Sequence, residues 1–408
     1  MSEVVNIPQL RFPEFNGGWK ESRIGKIYKD LRTGSTPSRA VKSYFKGDNP
    51  WITSGELKYN RISTTFEQIS DEAIKDTNLV LYQPGTLFIA ITGLEAPGTR
   101  GKCAINAVPS TTNQSCLAFR KVDSVDTIYM FYWYLKYGKP LYFKYAQGTK
   151  QQSFNNKIVE KFQIFLPNKP EQQKIAAFLT VVDNKIEQLS KKQELLGEYK
   201  KGLMQQIFSQ AIRFKADDGC DFPDWEEKSL GELFNYKNGG SFENEVVKDG
   251  LYNLITLNSI TIDGELKNEH KKINSFDNSL KINDLIMVLS DVAHGNFLGL
   301  TAIIPEDNSY VLNQRMGALK SKGLNNVVFL RLLINYNQKY FKLHGQGSSQ
   351  QNLSKGDILK FELLLPNRNE QQKIANFLSS IDTKIEQVGK QLDESKQFKK
   401  ALLQQMFV

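Results

Sequence analysis

Gly101-Lys102-Cys103 is the nearest approach to a phosphate-cradling loop in this 408-residue chain. That chemistry needs a spaced first glycine and a Ser or Thr hydroxyl for magnesium, and Ala96 and Cys103 occupy those places. Methyl transfer to an exocyclic amine would require an Asn/Asp-Pro-Pro-aromatic turn. Asn49-Pro50-Trp51 lacks the second proline, and no glycine-rich cofactor loop accompanies it. Pro223-Asp224-Trp225-Glu226-Glu227-Lys228 holds the residue types of a nuclease metal site, but its acids crowd into one turn and a matching segment around Trp19 lacks them. His270, His294 and His344 have no metal-ligand spacing and read as polar surface or loop residues. Cys103, Cys116 and Cys220 are an odd number at unrelated spacings, the pattern of free thiols in a reducing compartment. No catalytic constellation emerges. The chemistry expected of this chain is binding.

The elements that would position a binding site are written twice. Residues 166–208 and 365–407 align without a gap at an offset of 199, with 23 of 43 positions identical. LPNKPEQQKIAAFLTVVDNKIEQ in one copy is LPNRNEQQKIANFLSSIDTKIEQ in the other. A period near 200 residues is too long for a solenoid, so a whole domain with its connector is duplicated and two similar sites are expected. Each copy reads as a helix opening at Glu171 or Glu370, where the helix dipole favours a carboxylate; Pro167 and Pro170 precede the first copy as breakers. Ile175, Val182, Leu189, Leu196 and Leu203 recur every seven residues, Leu179, Ile186 and Ile207 sit four residues after members of that series, and Gln193 and Lys200 interrupt the seam. Ile374, Ile381, Val388 and Leu402, with Leu378, Ile385, Leu392 and Met406, repeat the pattern. Such heptads predict a coiled-coil seam, and two matching seams in one chain predict an antiparallel pair. About 38 residues at 1.5 Å each make a rod of roughly 57 Å.

The segments before each helix align more loosely. Phe12-Pro13 and Trp19 to Gly25 correspond to Phe222-Pro223 and Trp225 to Gly231. Pro84 to Thr92 matches Ile282 to Ser290, a turn feeding a buried strand. Asn113-Gln114 matches Asn313-Gln314, and Gln147 to Phe154 matches Gln346 to Leu353. Between these anchors the halves diverge, as two readers of different short targets would.

Net charge separates the halves. Residues 1–164 carry 22 basic and 14 acidic side chains, whereas residues 214–364 carry 16 and 20. A polyanionic partner therefore suits the first half, and the second needs a local cluster to bind one. No run approaches 18 consecutive apolar residues, so no transmembrane helix is expected. The start MSEVVNIPQLRF has no basic region before an apolar core, so no secretory signal is expected and the location is expected to be cytoplasmic.

The E-Q-x-x-I-A helix openings at Glu171 and Glu370, the G-[ST]-x-Q turns at Gly148 and Gly347, and the W-x-x-x-x-[IL]-G starts at Trp19 and Trp225 each occur twice in one order. With that order the chain resembles the specificity subunit of type I restriction-modification enzymes over nearly its whole length. The resemblance implies an α+β fold with two similar target-recognition domains, separated by two long repeated helices that form an antiparallel coiled coil, in a pseudo-two-fold internal repeat. It implies target-recognition domain 1 over 1–165, a helical spacer over 166–213, domain 2 over 214–364 and a second spacer over 365–408. Each domain would read one half of an interrupted double-stranded DNA target, and the helices would set the gap. The helices would also dock two methyltransferase subunits, which recruit restriction subunits. S-adenosylmethionine, ATP and magnesium are expected in those partners, with no cofactor and no metal in this chain and no membrane partner. Type IIB systems use similar subunits. A coiled-coil assembly scaffold without a DNA role is the alternative outside the family.

Within that frame the candidate DNA contacts sort by type. Gly148, Thr149 and Gln151, with Gly347, Ser348 and Gln350, suit phosphate contacts from exposed glycine turns. Lys136, Lys139 and Lys144, with Lys339 and Lys342, supply nearby cations. Base readout needs forked or amide groups, and Arg39, Lys58, Arg61, Arg100, Asn258, His294, Asn296 and Arg315 stand in loops that could offer them. Exposed helix positions shared by both copies are Lys185, Glu187, Gln188 and Gln205 with Lys384, Glu386, Gln387 and Gln404, the candidate partner contacts.

Overall fold

The computed structural model describes residues 6–93, 98–148, 152–278, 280–292 and 296–408. Four helices organise it: α1 (Thr127–Tyr145), α2 (Lys169–Phe208), α3 (Val327–Tyr336) and α4 (Arg368–Gln405). The chain folds as two compact units, Met1–Lys191 with Gly389–Val408, and Lys192–Val388. Each unit takes the start of one long helix and the end of the other, so the unit boundaries run through α2 and α4.

In the first unit a five-stranded sheet runs in the order Arg32–Thr33, Cys116–Phe119, Leu87–Ala90, Cys103–Asn106, Asn60–Ile62. Its central strands are wholly buried, which is why Leu87–Ala90 and Cys116–Phe119 read as unbroken apolar runs, while the buried Asn106 amide is bonded to the Tyr82 and Val108 carbonyls. A smaller sheet sets Asn49–Ile52 between Gln68–Ile69 and Thr111–Thr112. The aromatic α1 covers the main sheet through buried Tyr129, Tyr132 and Tyr134. The second unit repeats the scheme with four strands, Phe234–Asn238, Met316–Ser321, Leu285–Val288 and Thr301–Ile303, and a three-stranded partner sheet around Tyr252–Ile255. Here α3, buried at Phe329, Leu330 and Ile334, takes the place of α1.

The predicted seam forms inside each unit. In the first, Ile175, Leu179 and Val182 of α2 share a core with Leu402 and Met406 of α4. In the second, Ile207 of α2 shares one with Ile374, Leu378 and Ile381. The helices are antiparallel, and one matched ion pair fixes the register in each unit. Asp183 accepts from Lys399 at 2.6 Å in the first, and Asp382 accepts from Lys200 at 2.5 Å in the second. These are the same two repeat positions with helices exchanged. Lys200 is therefore not a mere interruption of the apolar pattern.

Pro170 lies inside the first turn of α2 and does not precede it as a breaker, because an N-terminal turn has no intrahelical acceptor for the missing N–H. Where α2 ends, the Ile212 N–H donates to the Gln206 carbonyl at 3.1 Å; where α4 ends, the Leu10 N–H donates to the Gln405 carbonyl at 3.0 Å. The connector leaving the first long helix is thus copied by the two chain termini.

Candidate nucleic-acid interface

The E-Q motif proves to be a clamp. Glu171 is 1% exposed; its carboxylate accepts from Arg11 Nε at 2.8 Å, Arg11 Nη2 at 2.7 Å and Trp19 Nε1 at 3.2 Å. Glu370 does the same with Arg213 and Trp225. The next residue ties each long helix to the N-cap of the helix that covers the sheet: Gln172 Oε1 accepts from the Asp126 N–H at the start of α1, and Gln371 Oε1 from the Asn326 N–H at the start of α3, both at 2.9 Å. The glutamates are buried salt-bridge acceptors, so the helix dipole alone does not explain them. The clamp also revises the alignment, because Arg11-Phe12 is matched by Arg213-Phe214. Phe12 and Phe214 pack on Phe178 and Phe377, themselves repeat partners. An inserted turn around Gly219 separates Arg213 from Phe222-Pro223.

Past the clamp, glycines let polar turns meet. A Cβ on Gly34 would stand 1.6 Å from the Thr112 carbonyl oxygen, and one on Gly239 would stand 2.0 Å from that of Asn313. Only glycine permits this approach, and it brings each glycine turn against its Asn-Gln turn. Thr36 Oγ1 donates to Gln114 Oε1 at 2.6 Å across that junction. The Gln-Gly turns close beside it as short bridges, Gln147 with Ser153 and Gln346 with Asn352, with Gly148 at φ +102° and Gly347 at φ +115°.

In the second unit these turns surround an open cleft of about 500 Å³. Asn238 and Gly239 line one side, Gln314 and Arg315 another, and Gln350, Asn352 and Lys355 a third. Strand Gln350–Asn352 pairs antiparallel with Ser290–Val292, and Gln350 Nε2 donates to Ser290 Oγ. The backbone there matches the first unit closely. Leu289 N–H donates to the Arg315 carbonyl at 3.1 Å and Ile91 N–H to the Ser115 carbonyl at 2.9 Å. Leu353 N–H returns to Leu289 at 2.8 Å and Phe154 N–H to Ile91 at 2.7 Å. Ser115 and Arg315 are equivalent positions. So are Asn156 and Lys355, which follow the helix caps Asn155 and Ser354.

Of the sequence-nominated contacts, Arg315 and Gln350 come together here, with exposed Gly347 and Ser348 on the adjoining turn. Gly148 occupies the matching exposed turn, whereas Thr149, Gln151 and His294 lie outside the described residues. Lys136 is a correction. Its ammonium donates to the Gln404 and Phe407 carbonyls at 3.0 and 2.9 Å, capping the end of α4, and burial lowers its pKa. Arg39 is engaged in a bidentate pair with Glu67 and lies 4.6 Å over the Phe45 ring, so it stays within its own loop cluster. Arg100 lies 4.9 Å over Tyr142 and Lys58 lies 5.8 Å over Phe66. Arg61, Lys139, Lys144, Asn258, Asn296 and Lys339 are exposed, and Lys342 is half-buried. Lys355 and Asn238 were missed. Lys355 follows the shared Gln346–Leu353 segment at a position where the copies differ in charge, whereas Asn238 lies beside none of the aligned segments.

The helix surfaces carry a second matched feature. Lys185, Glu187, Gln188 and Gln205 are exposed, as are Lys384, Glu386, Gln387 and Gln404. Tyr199 and Phe398, repeat partners outside the seam, are 55% and 53% exposed, so the same uncovered aromatic position recurs on both helices. Among the described residues no group of His, Cys, Asp and Glu could hold a metal ion, and no helix is long and apolar enough to cross a membrane.

A family model described as the type I restriction modification DNA specificity domain matches residues 16–196 and again residues 223–394. The type I restriction enzyme MjaVIII specificity subunit of Methanocaldococcus jannaschii is 25% identical over 415 residues, covering 97% of this chain and 92% of that protein. The MjaIX specificity subunit of the same organism is 30% identical over 246 residues, 55% of this chain and about half (56%) of that relative's length. A crystal structure of the S subunit of a type I restriction-modification system from M. genitalium has a TM-score of 0.61 at 18% identity, covering 98% of this chain and 99% of that one. A chain from a study of assembly and conformational transition of the type I system has a TM-score of 0.58 at 14% identity, covering 97% and 98%. These two structures share the fold. The doubled family match, which takes in Trp19 with Glu171 and Trp225 with Glu370, places this chain in the type I restriction-modification DNA specificity family.

Proposed function

We propose that this chain is the non-catalytic DNA-recognition subunit of a type I restriction-modification assembly. Each unit reads one half of an interrupted target, the paired helices set the gap, and methyltransferase subunits dock on the helices. Catalysis, with S-adenosylmethionine, ATP and magnesium, belongs to the partner subunits, and the assembly works in the cytoplasm. The observation that carries this reading is one scaffold built twice with different side chains at equivalent backbone positions, Ser115 against Arg315 and Asn156 against Lys355. A protein-assembly scaffold would have no reason to keep the backbone and vary those positions.

Sequencing of modified bases in host DNA, with and without this chain, tests the proposal. A two-part motif that disappears on deletion and returns on complementation is the expected result. An unchanged modification pattern, together with no salt-dependent binding of the chain to duplex DNA, would favour the scaffold reading.

A further inference from the structure

We propose that Arg315 reads a guanine in the half-target contacted by the second unit, while Lys355 holds a neighbouring phosphate; this deepens the recognition reading above and rests on it. The unit carries an acidic excess over residues 214–364, 20 acids against 16 bases, yet among the described residues no Asp or Glu lines this cleft. Arg315 is exposed at its edge and makes no salt bridge among the described residues. A free guanidinium in an acid-free cleft of an otherwise acidic domain is a local site for a negatively polarised partner.

The surroundings favour a base edge over a phosphate for Arg315. Gln314, Gln350, Asn352 and Asn238 line the same cleft, and Gln350 is oriented by its bond to Ser290. Amides and a guanidinium fork are the groups that discriminate base edges in the major groove, and the fork matches guanine O6 and N7. Lys355, a single flexible point charge at the rim, suits a phosphate, which positions the protein without carrying sequence. The first unit has Ser115 and Asn156 at these places, so its half-target should lack this guanine contact.

The test uses the full chain with its methyltransferase partner. Base-modification sequencing first defines the wild-type motif and then that of Arg315→Ala and Arg315→Lys. One guanine in one half should become degenerate in both variants, a loss of about ten- to a hundredfold in discrimination, with the other half unchanged. Lys355→Ala should weaken binding of all duplexes alike and lower the logarithmic salt slope by about one. If Arg315→Ala abolishes modification, binding to four duplexes differing only at that position decides. Equal affinities for the variant sustain the assignment, and a retained guanine preference overturns it. A wild-type motif from both Arg315 variants would also overturn it, without touching the recognition reading, which fails only if deleting the chain leaves the motif intact.

Discussion

The two units invert each other's electrostatics. Residues 1–164 are basic as a whole, yet uncharged Ser115 and Asn156 stand at the positions equivalent to Arg315 and Lys355; residues 214–364 are acidic as a whole, yet Arg315 and Lys355 line their cleft. Beneath them the scaffold is the same, from the Glu-Arg-Trp clamp to the backbone bonds that seat each turn. Net charge over a segment therefore ranks long-range attraction, whereas the field a ligand meets at contact depends on a few side chains within roughly a Debye length, about 8–10 Å at physiological salt. What was duplicated is the frame, and what diverged is the face.

The strongest way to break that comparison is through the clamp. Glu171→Ala and Glu370→Ala each strand a half-buried arginine and a buried indole N–H, and losing three bonds to a charged acceptor costs about 3 kcal/mol or more. Urea unfolding of the full chain should show comparable losses for the two variants. A loss confined to one of them would mean that the frames are not energetically equivalent.

Next in size is the matched aromatic pair on the helices. Exposed aromatics recurring at one repeat position fit anchors for a repeated partner, and such anchors typically cost 2 kcal/mol or more on truncation, about thirtyfold in affinity. Tyr199→Ala with Phe398→Ala should weaken methyltransferase assembly by that order while leaving the unfolding midpoint in place. Charge reversal at Glu187 and Glu386 should add a smaller loss. Full assembly in the combined variant, measured by light scattering, would remove the helices from the docking surface.

The register pairs offer a finer probe. Asp183→Lys sets two ammonium groups against each other and should cost about 1 kcal/mol, recovered when Lys399→Asp is added. The exchange at Asp382 and Lys200 should give a similar ion-pair term, while the cycle at Asp183 also carries the bond this carboxylate accepts from the Tyr132 hydroxyl at 2.8 Å. Unequal ion-pair terms would show that one unit holds its helix pair more tightly.

The smallest expected effect concerns pH, because all three histidines lie in the second half of the chain. His270 packs edge-on to Tyr310 with centroids 5.7 Å apart, and burial lowers its pKa. Unfolded chain then binds the proton more readily than folded chain, so this contribution to stability is complete above the usual value of about 6.5 and is lost as pH falls below it. His270→Phe should flatten that decline in the unfolding midpoint between pH 7.5 and 5.5. An unaltered pH profile would refute the assignment.

The sequence by itself determined the duplication, the α+β class, both long helices and their antiparallel seam, and the turns that carry glycine. These signals are local, since heptad spacing, apolar runs and glycine positions need no knowledge of distant residues. Only the tertiary structure decided which partner each polar group takes. Glu171 meets Arg11 and Trp19 from more than 150 positions away, Lys136 is spent on the end of α4, and Arg315 shares a cleft with Lys355. Lysine and arginine look alike in a chain whether they cap a helix or face a ligand. What separates them is which backbone segments the fold brings within hydrogen-bond reach, and that is settled by packing of the whole unit.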